Sequence, residues 1–89
     1  PTQALFLMNS SFLLEQSKYA AQALLERKTD DADRVRAFLL RALGRPAAQA
    51  ETDAALEFLQ RMESEMTREE AWARWCQVVF VSNEFLFRT

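Results

Sequence analysis

Histidine is absent from this sequence, and cysteine, glycine and proline are scarce, at one, one and two residues among 89. Without histidine the chain has no Ser-His-Asp or Cys-His catalysis, no His-ligated zinc and no Cys-x-x-Cys-His haem attachment. A single cysteine excludes an internal disulfide and leaves the redox compartment open. No apolar run approaches the roughly 18 residues needed to span a bilayer. The opening PTQALFLMNSS lacks the basic start of a signal peptide, and Pro1 is no initiator. The expectation is therefore a module excised from a longer protein, with any targeting signal upstream. Charge of one sign is lacking too. Eleven basic and 13 acidic residues leave a net charge of −2, which supplies no long-range field for nucleic acid.

What remains is apolar bulk on a helix-forming background. Hydrophobic residues make up 49% of the chain, including seven Phe and two Trp, enough for a packed core. Ala, Leu, Glu, Arg and Gln dominate the rest, and together with the shortage of Gly and Pro they predict an all-α fold. A chain this short buries only about 60–65% of its unfolded surface, so one domain with little stability to spare is expected.

Residues 67–87, TREEAWARWCQVVFVSNEFLF, hold both tryptophans, the only cysteine and Phe80, Phe85 and Phe87. Such a segment needs cover from water, and the preceding helices are read as that cover. Residues 2–8 suggest one or two helical turns. Asn9 or Ser10 then caps a helix expected to reach Arg27, with Glu15 near its positive end and Leu13, Ala20, Ala21, Leu24 and Leu25 on one side. Asp30 caps the next helix, with Asp31 and Asp33 in the first turn where the helix dipole favours them. Val35, Phe38, Leu39, Ala42 and Leu43 follow at i, i+3, i+4, i+7 and i+8. Gly44 then provides a left-handed stop, and Pro46 prevents continuation.

A third helix spans residues 49–63, with Ala55, Phe58, Leu59 and Met62 inward. Its start is poorly marked, because Ala47 and Ala48 stand where a hydroxyl cap belongs, and fraying is expected there. Thr67 and Glu70 form a capping box for the last helix, in which Trp72, Trp75, Cys76, Val79 and Phe80 share a face. Short connections imply antiparallel neighbours. The predicted architecture is a compact antiparallel bundle of four main helices plus a short N-terminal helical turn. QVVFVSNEFLF also has strand propensity, but no second strand candidate is present to pair it. A short echo between LFLMNSSFL and VVFVSNEFL admits two accounts, two similar helix ends or two segments packed side by side.

Each candidate chemical group has an ordinary structural explanation. Cys76 lies between Trp75 and Val79 on the apolar face with no base available, which suits a buried cysteine better than a nucleophile. Asp30, Asp31 and Asp33 lack the longer ligand series and central glycine of a calcium loop, and capping explains them. Glu69 and Glu70 diverge by about 100° around a helix, too far apart in direction for a catalytic pair. Arg34, Arg41 and Arg45, with Arg27 and Lys28 nearby, could serve phosphate or nucleic acid. A solvated face partly paired with Glu51 or Glu57 fits the acidic balance better, and Arg45 can also reach helix-end carbonyls. Ser82, Asn83, Glu84, Phe85 and Phe87 form the one candidate interface. The competing account makes Asn83 a left-handed cap with Phe85 folded back on the core.

In that order and spacing, LFLMNSSFLLEQS, RVRAFLLRALGRPAAQAE and WARWCQVVFVSNEFLF resemble the C-terminal region of planctomycete cytochrome-c-associated proteins of unknown function (planctomycete surface domain, PSD, type). The resemblance covers nearly the whole chain and is most specific at Leu43-Gly44-Arg45-Pro46 and at Ser82-Asn83-Glu84-Phe85-Leu86. It implies a C-terminal helical module of a large exported protein, periplasmic or at the cell surface, with any haem in an upstream domain. It assigns no catalytic, cofactor or metal residues here. The implied partners are the remainder of the parent protein, another protein or a second copy. The chain departs from the family at Ser11, where proline is usual, and at Ala48-Gln49, where a Thr-Pro start is favoured. A more distant likeness is to helical modules of bacterial surface proteins and phycobilisome linkers, whose task is assembly. The leading expectation is thus a non-catalytic structural or interaction module. The alternatives are an accessory domain completing the active or electron-transfer site of a larger cytochrome-c-containing enzyme, and nucleic-acid binding through the Arg34 side.

Overall fold

The computed structural model describes residues 9–87, with side chains through residue 83. Among these residues there are four helices and no strand: α1 (Ser11–Leu25), α2 (Asp31–Leu43), α3 (Gln49–Glu63) and α4 (Arg68–Phe87). The all-α bundle predicted from composition is the observed fold. The N-terminal turn expected at residues 2–8 lies outside the described residues, as do the first four residues of the LFLMNSSFL echo.

The capping residues act as their types dictate. The Leu13 N–H donates to Ser10 Oγ at 3.2 Å, and the Asp33 N–H donates to Asp30 Oδ1 at 2.9 Å, each satisfying a donor that the first turn leaves free. Gly44 closes α2 at φ 72°, with its N–H on the Leu40 carbonyl at 3.0 Å. Thr67 and Glu70 form the reciprocal box at the start of α4, with N–H bonds of 3.0 and 3.1 Å.

The core gathers on α4, which touches all three other helices and lies most extensively along α1. Ala71, Trp72 and Cys76 have no exposed surface, and Ala73, Trp75, Gln77 and Val81 are also buried. A helix buried on so many sides has lost its polar stripe, as expected for the central element of a small bundle. Trp75 packs against Phe38 of α2 at 5.3 Å between ring centroids and against Trp72 at 5.7 Å, and Phe80 meets the same Phe38 ring at 5.5 Å. Edge-on and tilted rings of this kind add to simple area burial. Ala21, Leu24, Val35, Leu39, Ala55 and Leu59 complete the core from the other helices.

Three expectations are corrected. First, α1 stops at Leu25 rather than Arg27, and no acidic residue, Glu15 included, falls in its first turn. Second, α4 continues through Ser82 and Asn83 to Phe87, and no non-glycine residue among those described has positive φ, so Asn83 is not a left-handed cap. An interior Asn costs a helix only about 0.5–0.7 kcal/mol relative to Ala. No Gly or Pro stands nearby to stop the helix, and the burial of Val81 holds it. Third, the start of α3 is held despite its alanines, as described below.

Candidate interaction surface

The charged groups that looked most like a site serve to join helix ends. Asp31 does more than support a cap: its carboxylate receives Arg68 from α4 at 2.6 and 3.2 Å and Arg34 at 2.7 Å. Arg68 also reaches Glu63 at 3.1 Å, at the end of α3. Its guanidinium lies 5.7 Å from the centre of the Trp72 ring, and the Trp72 indole N–H donates to Glu63 Oε2 at 3.2 Å. One arginine thus ties the start of α2, the end of α3 and the first turn of α4 around a buried tryptophan. The Arg68 hydrogen bond holds the Asp31 carboxyl below its usual range, against the opposing effect of partial burial.

Arg34 was expected on a solvated face. Its side chain is instead only 13% exposed. Besides Asp31 it donates to the carbonyls of Leu24 at 3.0 Å and Arg27 at 2.7 Å. These carbonyls lie at and just beyond the end of α1, and each also accepts a backbone N–H, from Arg27 and Thr29 respectively. Arg34 thus takes a further acceptor position on each and braces the end of α1 from the next helix. Arg45 behaves as expected in pairing with Glu51, through two bonds of 3.0 and 2.9 Å, and its one carbonyl contact is Pro46 at 3.1 Å. The same Glu51 accepts from the Ala48 N–H at 2.7 Å. Glu51 supplies half of a capping box, the half that needs no hydroxyl at position 48. The Arg45 guanidinium, then the Ala48 amide, pull the Glu51 carboxyl down to about 2. The signal was present in the sequence as Glu three residues after the cap position.

Cys76 is fully buried, and burial pushes its thiol up to about 12, the reverse of the shift that makes a cysteine reactive. Of the adjacent pair Glu69 and Glu70, the latter is committed to Thr67. No group of three acidic or cysteine side chains among the described residues is placed to hold a metal ion. None of the described helices is long and apolar enough to cross a membrane.

Among the described residues α4 borders a small cleft of about 290 Å³ beside Lys18, Glu69 and Glu70 and two larger troughs. The first, about 390 Å³, lies between α2, α3 and α4; Leu43, Phe58, Val78 and Val79 line it, and Ser82 and Asn83 form its end. Those two candidate interface residues are thus brought to one apolar opening, Ser82 exposed and Asn83 half-buried. The side chains of Glu84, Phe85 and Phe87 lie outside the described residues. The second trough, about 480 Å³, runs between α1 and α2 with Phe38 and Phe80 in its wall and Arg27 and Arg41 at its margin. Reasoning from sequence missed it, although the recurrence of Phe12, Gln16, Tyr19 and Ala23 at helical spacing marks one of its sides.

Residues 1–59 match the family described as PSD1, protein of unknown function (DUF1553), and the chain belongs to that family. The matched stretch includes the Leu-Gly-Arg-Pro turn and stops within α3, before the terminal Ser-Asn-Glu-Phe-Leu run. No curated protein and no solved structure matches the chain.

Proposed function

We propose that this chain is a non-catalytic helical module for assembly, packing against the remainder of the protein to which it belongs or against another protein. The observation that carries this reading is the use of its charged side chains. Asp30, Asp31, Arg34, Arg45, Glu51, Glu63, Arg68 and Glu70 all hold helix ends or join helices, while apolar openings beside α4 are left at the surface. Ser82 and Asn83, together with Glu84, Phe85 and Phe87 further along the same helix, form the proposed interface at the end of the smaller opening. Within the PSD type, the module would sit at the C-terminus of a large exported protein, outside the cytoplasm.

Deletion from the full-length protein tests the reading. Loss of assembly, measured by sedimentation and co-purification, with the remainder still folded is the expected result. If deletion leaves assembly intact but abolishes a catalytic turnover or haem reduction, the accessory-domain alternative replaces it.

A further inference from the structure

The larger trough has a feature the smaller one lacks. Its charged lining residues are Arg27 and Arg41, and no carboxylate is among them, in a chain whose net charge is −2. Among the described residues neither arginine takes part in an ion pair, whereas Arg34, Arg36, Arg45 and Arg68 all do. Arg27 acts on Asp33 only through space. The floor is apolar, with Ala20, Ala37, Phe38 and Phe80.

The α1 side carries a second, independent signal. Gln16, Tyr19 and Ala23 line the trough, and Phe12 precedes them at i−4, i−7 and i−11, on the same side of the helix. Phe12 is 70% exposed and Tyr19 65%. From Phe12 to Ala23 the stripe is about 16 Å long, the length of about three helical turns. Exposed aromatic side chains beside arginines, over a preformed apolar floor, are the composition of a binding hot spot.

We propose that this trough receives an amphipathic helix of a partner protein, one that carries Asp or Glu beside its apolar face. The proposal rests on the reading of the chain as an interaction module and names the surface and the chemistry of the partner. The apolar face would lie on Phe38, Phe80 and Tyr19, and the carboxylates would meet Arg27 and Arg41, following the helix-in-groove mode. A second copy docking by the same surface would set these arginines near one another across a two-fold axis, which like charge opposes.

The test uses the isotope-labelled chain and two synthetic helices about three turns long. They share a leucine face and differ only in whether Glu or Lys flanks it. The Glu helix is expected to shift the amide signals of Tyr19, Ala23 and Arg41 and to bind at least about tenfold more tightly than the Lys helix. The Arg27→Glu/Arg41→Glu double variant should invert that preference. Tyr19→Ser, at an exposed position, should weaken the Glu helix while circular dichroism shows the fold unchanged. Equal affinity for the two helices, or no binding of either below about 1 mM, overturns the proposal. Sodium laurate shifting the same signals while neither helix does would make the trough a site for small amphiphiles, and overturns it too. Binding of the Glu helix at the smaller trough would defeat this site while leaving the interaction-module reading standing; that reading fails only in the deletion experiment.

Discussion

Asp31 and Arg68 stand 37 positions apart in the chain and 2.6 Å apart in the fold. Asp31 is the first residue of α2 and Arg68 the first of α4, so their contact pins two helix starts together beside Trp72. Both side chains are more than a third exposed, and solvent screens the pair. Its worth comes from being shared with Glu63, Arg34 and the indole ring. Arg68→Met keeps most of the stem over Trp72 and removes the charge. The variant should lose about 1–2 kcal/mol in denaturant unfolding. A double-mutant cycle with Asp31→Asn should give a coupling of about 0.5–1 kcal/mol. Additive single effects would show that the contact contributes nothing of its own.

The start of α3 is the place where stability can be added. Ala48 has extended backbone angles, φ −70° and ψ 155°, as a capping residue requires, and Glu51 already occupies the third helical position. Ala48→Ser supplies the missing acceptor and completes the box, with an expected gain of about 0.5–1 kcal/mol by thermal unfolding. Glu51→Ala should instead speed hydrogen exchange in the first turn of α3 while leaving α1 and α4 protected.

Dependence on pH should appear on the acid side, where paired carboxyls are protonated, and again above about pH 9. There the unfolded Cys76 thiol ionises while the buried one stays protonated, so stability falls as pH rises. Glu51 is held down to about 2 by Arg45 and the Ala48 amide. Asp31, Asp33 and Glu70 are lowered by Arg68, Thr29 and the Thr67 amide respectively. A carboxyl whose pKa is depressed by folding contributes stability above its unfolded value and loses it as pH falls through the folded one. The melting temperature should therefore fall between about pH 4.5 and pH 2. Glu51→Gln should flatten that part of the profile. With no histidine in the chain, the curve from about pH 6 to 7 should be level. A transition there would contradict this account.

Cys76 reports on the core. Its thiol is fully buried and pushed up to about 12, so Ellman's reagent should react only through unfolding. Labelling rates should rise with denaturant in step with the unfolded fraction. Rapid labelling of the folded protein would show an opening near Trp72 and Trp75 that the packed core does not contain.

Gly44 tests a purely conformational term. A Cβ there would meet nothing within 4 Å, yet φ is +72°. Gly44→Ala should cost about 1 kcal/mol from backbone strain alone, and Gly44→Asn less, because Asn tolerates the left-handed region.

The sequence by itself determined the four helices, the caps that start α1, α2 and α4, the glycine that ends α2 and most of the residues facing inward. These follow from information carried within a few positions: Ser10 and Asp30 as acceptors for nearby amides, Gly44 as the left-handed stop, and the spacing of Val35, Phe38 and Leu39. It also marked residues 67–87 as the stretch the others must cover, and identified Cys76 as a core residue. The tertiary structure decided what depends on partners distant in the chain. Arg34 looked like a surface cation because its use is to brace the end of another helix. Asp31 looked like part of a cap because Arg68 lies 37 positions away. Asn83 looked like a stop because local propensity favours one, and packing against neighbouring helices outweighed a penalty of about 0.5–0.7 kcal/mol. The troughs beside α4 belong to the same class: an opening between helices exists only once their crossings are fixed.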